Sequence, residues 1–395
     1  MPARIRPLAR LASIPAAILL LAADDPKPAD YAADAISIEA IVNKNYAYLE
    51  RLPGGRMPMT EKLRAEASAV DSPRALVVYA ERALALLADH HAITGSSTKE
   101  SWATVPSYSD LWIERRGADY VIEQVRDDTP ASQAGIRPGD RLVMVGGVPI
   151  AGAVAAYWSD LGTTGGGDRD GYAARILAAG RRDRPRDLVV QRARAAPRAL
   201  SLPNLYYRNL LDRPVLTAAK EGNSLAIRIH DSLGNSATVP AFDRAMAGAR
   251  PGQPIVIDLR DTASGGNTTV ARGIMGWFVD KPTFYQMHRL PVEERDHGVA
   301  RQWVEQVLPR PGKRHGGPVT VRVGRWTGSM GEGLAIGFAA MGARIEGSRM
   351  AGLLGAIYDH RLERSGQVIK IPTERLYAVD GTPRERFVPR YRTDR

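Results

Sequence analysis

The stretch Thr327-Gly328-Ser329-Met330-Gly331-Glu332-Gly333-Leu334 sets a hydroxyl among glycines, where a short apolar strand gives way to a helical pattern. The first free N–H groups of a helix and its positive dipole end point toward a residue in that position. A serine there suits nucleophilic attack with stabilisation of an oxyanion. The same letters also spell a capping box, with Ser329 and Glu332 exchanging hydrogen bonds at the helix start, so the cap and the nucleophile both remain open. A second stretch, Asp258-Leu259-Arg260-Asp261-Thr262-Ala263-Ser264-Gly265-Gly266, puts a glycine pair just past an apolar strand. Such a pair can turn backbone N–H groups toward an anion, and it can equally be a plain strand–helix turn.

These stretches need elements to hold them. Val319 to Val323 alternates as a strand after the Gly317-Pro318 break, and Leu334, Gly337, Phe338 and Met341 recur at helical spacing. From about Asn204 onward strands alternate with helices: a strand over 224–229, a helix over 239–247 ended by Gly248, and a strand over 254–260 followed by a helix to about Phe278. The fold class expected is α/β. Pro282 to Gly317 reads as a long, polar, poorly patterned insertion that could lie over the site.

Before this region, residues 24–106 carry helical stripes (Ile38, Ile41, Val42, Tyr46 and Leu49; then Leu76, Ala80, Ala83, Leu84 and Leu87), the second opened by Ser72-Pro73. Residues 107–203 turn to short strands. There Tyr120 to Val125, Gly135-Ile136-Arg137-Pro138-Gly139-Asp140, Arg141 to Val145 and Gly146-Gly147 resemble a PDZ domain of the bacterial protease type. The resemblance implies a groove helix over 173–179, a closing strand over 187–191, and capture of extended or C-terminal peptide segments by strand addition.

At 395 residues with 44% apolar and 25% charged residues, the chain is long enough for two or three domains with real cores. Its net charge of +11 falls to +8 once the three arginines of residues 1–23 are set aside. Arginine is scattered rather than striped, which argues against a nucleic-acid partner. Residues 1–23 read as a basic n-region and an apolar run ending in Ala22-Ala23, a cleavable secretory signal, with an uncleaved anchor as the alternative. Without cysteine there is no disulfide framework, thiol chemistry or lipid-bearing thiol. The expected location is periplasmic or secreted, with no stable membrane insertion after signal removal. The oligomeric state is not legible.

Asp89-His90-His91, the PDZ signature, the Gly265-Gly266 stretch, Ser329-Met330-Gly331-Glu332 and the Gly347…Gly352 turn occur in an order that resembles the tail-specific (carboxyl-terminal processing) serine proteases. The resemblance implies a ClpP/crotonase-like core over 204–395 with the PDZ domain inserted before it. One branch of that family uses a serine–lysine dyad, with lysine just after the glycine of the later turn; here Gly352 is followed by Leu353-Leu354. The branch resembling the tricorn core uses serine, histidine and glutamate. Matched to it, Ser329 is the nucleophile, His91 the base and Glu385 the residue behind it, with Gly265, Gly266 and Met330 supplying oxyanion N–H groups. Ala92 replaces the threonine usual after the histidine. Phe387 and Arg390 replace the glycine and aspartate usual after the glutamate. In this assignment Glu332 is a cap and dipole partner.

The function expected is therefore a serine endopeptidase acting on protein or peptide substrates, with no cofactor or metal. The alternative from another class is a non-catalytic peptide- or ligand-binding protein on the same fold. His360 beside Asp359 invites an α/β-hydrolase reading, but the Gly-X-Ser-X-Gly elbow is missing. His230, His288, His297 and His315 have no partnered context in sequence, and His90 reads as a neighbour helping to hold His91.

Overall fold

The computed structural model describes residues 26–207 and 213–392, so the signal expected over residues 1–23 lies outside the described part. Among the described residues no helix is long and apolar enough to cross a membrane.

The strand Ile255–Asp258 is buried along its whole length and lies at the centre of a six-stranded sheet. It pairs in parallel with Ser224–Ile229 on one side and Val319–Val323 on the other. Arg344–Gly347 extends the parallel set, and Leu216–Glu221 adds an antiparallel edge. A strand buried on both faces by flanking helices must be apolar throughout, which is why Ile255-Val256-Ile257 shows no alternation. The helices Thr238–Ala247, Thr268–Met275 and Met330–Ala340 supply that cover. The last of these is buried over Met330–Phe338, and its glycines let neighbours in closely: a Cβ on Gly337 would meet the Met275 sulfur at 2.7 Å.

The strands Leu111–Arg116, Asp119–Val125, Arg141–Val145, Arg186–Gln191 and Arg198–Leu202 form an antiparallel sheet, with Leu111–Arg116 at one edge. The helix Asp168–Ala179 packs against that edge strand. Its groove is partly covered: Arg175 Nη1 donates to the Ile113 carbonyl at 2.9 Å, and a Cβ on Gly171 would lie 3.7 Å from the same oxygen. Apolar side chains of this sheet and of the helices Pro28–Asn45, Glu61–Ala67 and Pro73–Ala85 merge into one buried cluster that reaches Leu353 and Leu354.

Residues 282–317 depart from the expectation of an unpatterned insertion. Thr283–Arg289 and Gln302–Val307 pair antiparallel, joined by the helix Pro291–His297, and Thr283–Arg289 also pairs with Val368–Tyr377. Sequence alternation missed them because the buried side of Thr283–Arg289 is itself polar, carrying Gln286 and His288 beside Tyr285.

Candidate active site

Two loops at the carboxyl ends of Ile255–Asp258 and Val319–Val323 are zipped together. Thr262 bridges Thr327 in parallel, Thr262 N–H donates to the Trp326 carbonyl at 2.9 Å, and Gly328 N–H donates to the Thr262 carbonyl at 3.2 Å. Thr327 Oγ1 adds a bond to the Leu259 carbonyl at 2.8 Å. Adjacent parallel strands deliver their following loops to one end of the sheet, and so Gly265 and Ser329 meet there.

Ser329 sits at φ +50°, a left-handed conformation that costs a non-glycine residue about 1–3 kcal/mol and persists only when its surroundings enforce it. The enforcing group is Glu332. Its Oε2 accepts the Ser329 N–H at 2.9 Å and the Leu353 N–H at 3.2 Å, while Oε1 accepts the Gly352 N–H at 2.9 Å. Of the capping box the glutamate half is made, the Glu332 carboxylate taking the Ser329 N–H, while the Glu332 N–H goes to the Ser329 carbonyl at 3.0 Å and among the described residues the serine side chain makes no cap hydrogen bond. Glu332 is thus more than a cap: it ties the 352–353 turn to the Ser329 turn. Burial pushes its carboxyl up to about 7, against the opposing pull of Arg384 and the three N–H groups. Arg384, whose Nη2 is 4.0 Å from Glu332, also donates to the Leu353 and Gly355 carbonyls at 3.1 and 2.6 Å.

Gly265 presses on the nucleophile candidate. It has φ +68°, and a Cβ there would fall 2.4 Å from Ser329 Cβ, 2.9 Å from Met330 N and 3.0 Å from Ser329 Oγ. Its own N–H is used, donating to the Thr262 carbonyl at 3.1 Å. Among the described residues the N–H groups of Gly266 and Met330 have no acceptor, and both residues line a cavity of about 290 Å³ together with Ser329. Two unpaired donors beside a hydroxyl are the components of an oxyanion site, whereas the Gly265 N–H is taken and its missing side chain leaves room for Ser329. Gly265→Ala is expected to lower any turnover at Ser329 about 100-fold or more, the scale of losing an oxyanion donor, while circular dichroism stays that of the parent. Undiminished turnover in this variant would remove Gly265 from the site.

His91 follows the helix Pro73–Ala85 and is buried, with its N–H on Asp89 Oδ1 at 2.9 Å. Its Nδ1 lies 2.6 Å from the Leu354 carbonyl; a carbonyl can only accept, so Nδ1 carries the proton and Nε2 is left as the basic atom. Burial, with the Arg384 charge second, lowers His91 to about 4, so it is neutral at ordinary pH. Burial likewise raises Asp89 to about 6, opposed by the His91 N–H and the Tyr46 hydroxyl. Glu385 is half-buried, its Oε2 enclosed without a partner, and Gly352 approaches its carbonyl. No hydrogen bond joins Ser329, His91 and Glu385 to one another among the described residues. What links them is the 352–355 turn, held to Ser329 by Glu332, to His91 by the Leu354 carbonyl and to the residue before Glu385 by Arg384. Leu353, where the lysine branch would place its base, is buried with Cδ1 3.3 Å from a Cβ position on Gly328.

Sequence reading set aside a group that the fold brings in. His288 lines the Ser329 cavity with Glu374 and Glu305, bonds Glu374 through Nδ1, lies 3.1 Å from Gln286 Nε2, and stacks on Trp303 at 5.0 Å. Burial opposes its charge, but the hydrogen bonds and charges of Glu305 and Glu374 outweigh that and raise it to about 9. The polar pair Gln286–His288 in an otherwise unpatterned stretch was the available signal, and its partner Glu374 lies 86 residues away. His90 turns from His91 and accepts Arg175 Nε at 2.9 Å while stacking on Tyr172. His360 bonds Thr373 and Asp359 pairs with Lys370, and neither lines the Ser329 cavity.

The PDZ-like sheet is bolted to the two site loops. Arg126 Nη2 meets Asp261 at 2.6 Å, Arg325 Nη2 meets both Glu114 and Glu123 at 2.6 Å, and Trp326 Nε1 donates to the Ser109 carbonyl at 2.8 Å.

A PDZ domain family model matches residues 121–161. No curated protein matches the chain. Among solved structures, the photosystem II D1 C-terminal processing protease is 17% identical with a TM-score of 0.54, covering 92% of this chain and 93% of that one. Mature CPAF in complex with lactacystin is 13% identical with a TM-score of 0.57 at the same coverage. This chain has the mixed α/β fold of those proteases, with a PDZ domain within it.

Proposed function

We propose that the protein is a serine endopeptidase of exported proteins, periplasmic or secreted, in which Ser329 attacks the peptide carbonyl. The observation that carries this is the strained Ser329 at a buried helix N-terminus, with the side-chain-free face of Gly265 against it and the unpaired Gly266 and Met330 N–H groups in the same cavity. The likeness of fold to two solved proteases supports it. His91 is the proposed base: its tautomer leaves Nε2 as the acceptor and it is uncharged at neutral pH. Glu385 is the proposed electrostatic partner, acting across the 352–355 turn rather than through a bond to Nδ1. The proposed part of the PDZ domain is to present extended or C-terminal segments to the site.

His288 is the rival base, because it shares the Ser329 cavity and is backed by Glu374. The rate at which a fluorophosphonate labels Ser329, followed by intact mass against pH, separates the two. With His91 as base, labelling is full at neutral pH and falls only as pH approaches about 4. With His288 as base it rises through about pH 9, where that imidazolium loses its proton. Failure to label Ser329 at any pH sinks the hydrolytic reading and leaves the non-catalytic peptide-binding protein.

A further inference from the structure

A second cavity, of about 1080 Å³, lies between the PDZ edge strand Leu111–Arg116, the start of the helix Asp168–Ala179, the 87–90 segment and the 351–354 turn. Six arginines line it (Arg51, Arg115, Arg169, Arg175, Arg325 and Arg349) against three carboxylates, Asp89, Glu114 and Asp168. Arg115 is paired with Asp170, and Arg325 with Glu114 and Glu123. Among the described residues Arg51, Arg169, Arg175 and Arg349 have no carboxylate within salt-bridge reach. Asp89 is spent on Tyr46 and the His91 N–H.

Two of these four are held in place without being satisfied. Arg169 stacks 4.1 Å over Trp158, yet its Nε and Nη2 are buried and have no hydrogen-bond partner among the described residues. Arg175 stacks 4.8 Å over Trp112 and, among the described residues, donates to His90 Nε2 and the Ile113 carbonyl alone. Burial, with the Arg325 charge second, pulls its pKa down to about 10, against the weaker opposing pull of Glu114, Tyr172 and Asp168. A guanidinium fork fixed on an aromatic face and lacking an anion is prepared for a planar carboxylate.

We propose that this cavity binds acidic side chains of the polypeptide substrate, so that the enzyme selects segments rich in Asp and Glu. The inference rests on the peptidase reading for why a chain would lie there: the same 351–354 turn that walls the cavity is tied through Glu332 to Ser329. A peptide fits this wall better than nucleic acid does, because the cationic groups gather around a half-open notch beside a sheet edge rather than along a continuous stripe. An arriving carboxylate would also compete for Arg175 and release the Ile113 carbonyl that a bound strand needs.

The test is fluorescence anisotropy with full-length Ser329→Ala protein and three labelled dodecapeptides: one with four Glu and an amidated C-terminus, its Glu→Gln counterpart also amidated, and the Gln peptide with a free carboxylate. The acidic amidated peptide is expected to bind at least 10-fold more tightly than its Gln counterpart. The difference should shrink as salt rises from 50 to 300 mM, and Arg169→Gln with Arg349→Gln should cut it at least 5-fold. Arg349 is exposed, so its variant also tests the site without disturbing the core. Equal binding of the two amidated peptides overturns the proposal. Tighter binding of the free-carboxylate Gln peptide than of the acidic one overturns it in favour of chain-end capture. Full displacement of the acidic peptide by a 12-mer oligonucleotide at equal concentration overturns it in favour of a general polyanion site. Acid-selective binding by this variant, combined with no cleavage by the wild type, keeps the site and removes the peptidase reading; cleavage without acid preference does the reverse.

Discussion

Ser329→Ala is expected to reduce cleavage of an unfolded polypeptide by about 10⁴-fold or more, the scale seen when a nucleophile that acts with a base is removed. The loss should come with little change in melting temperature. The serine side chain makes no cap hydrogen bond, alanine meets the same positive-φ strain, and the Glu332 contacts that enforce the turn use main-chain N–H groups. A stable variant without activity separates chemistry from folding. Retained cleavage at even a tenth of the wild-type rate would refute Ser329 as nucleophile. His91→Ala belongs in the same assay and should approach the Ser329→Ala loss, whereas His288→Ala should spare most turnover if that imidazolium only shapes the cavity. The opposite ranking would move the base to His288 and fit its closeness to Glu374.

Glu332→Ala should be the most destabilising single change at the site. It strips the acceptor from the N–H groups of Ser329, Gly352 and Leu353 and leaves Arg384 buried beside no carboxylate. Breaking a buried pair on one side costs about 3–5 kcal/mol, and the turn that carries Leu354 to His91 loses its tether, so cleavage should fall with stability. Glu332→Gln keeps the shape and part of the acceptance and should fall between wild type and alanine. The pH dependence has a defined sign. A carboxyl raised from 4.5 to about 7 binds its proton more tightly in the folded state. Its stabilising contribution is therefore full below about 4.5 and is lost as pH rises through about 7. Denaturant titrations of wild type should show that decline between those values, and Glu332→Gln should lack it. An unchanged pH profile in Glu332→Gln would assign the decline to another group.

The local rules carried far along this chain. Pro318 punctuates by its locked φ and missing N–H, and the glycines around Ser329 by having no Cβ, so the strand Val319–Val323 and the helix following Ser329 were readable residue by residue. The α/β layering followed from strands and helices that alternate along residues 204–395, whereas the parallel pairing of those strands came from the structure. The expectation failed over 282–317, where buried polar residues erased the alternation that reveals a strand.

The candidate site divides the same way. Sequence by itself determined the serine, its helix and the glycine pair, because each is specified by neighbours within a few positions. By resemblance it also placed Leu353 where one branch of the carboxyl-terminal processing proteases carries a lysine. Only the tertiary structure decided that a side chain on Gly265 would collide with Ser329, that Glu332 anchors a turn 20 residues away, and that His91 bonds a carbonyl 263 positions on. It alone brought His288 to Glu374 and gathered six arginines around one notch. Those pairings depend on which strands lie side by side and how deeply each group is desolvated. Neither is encoded in local spacing; both follow from burial of the apolar core as a whole.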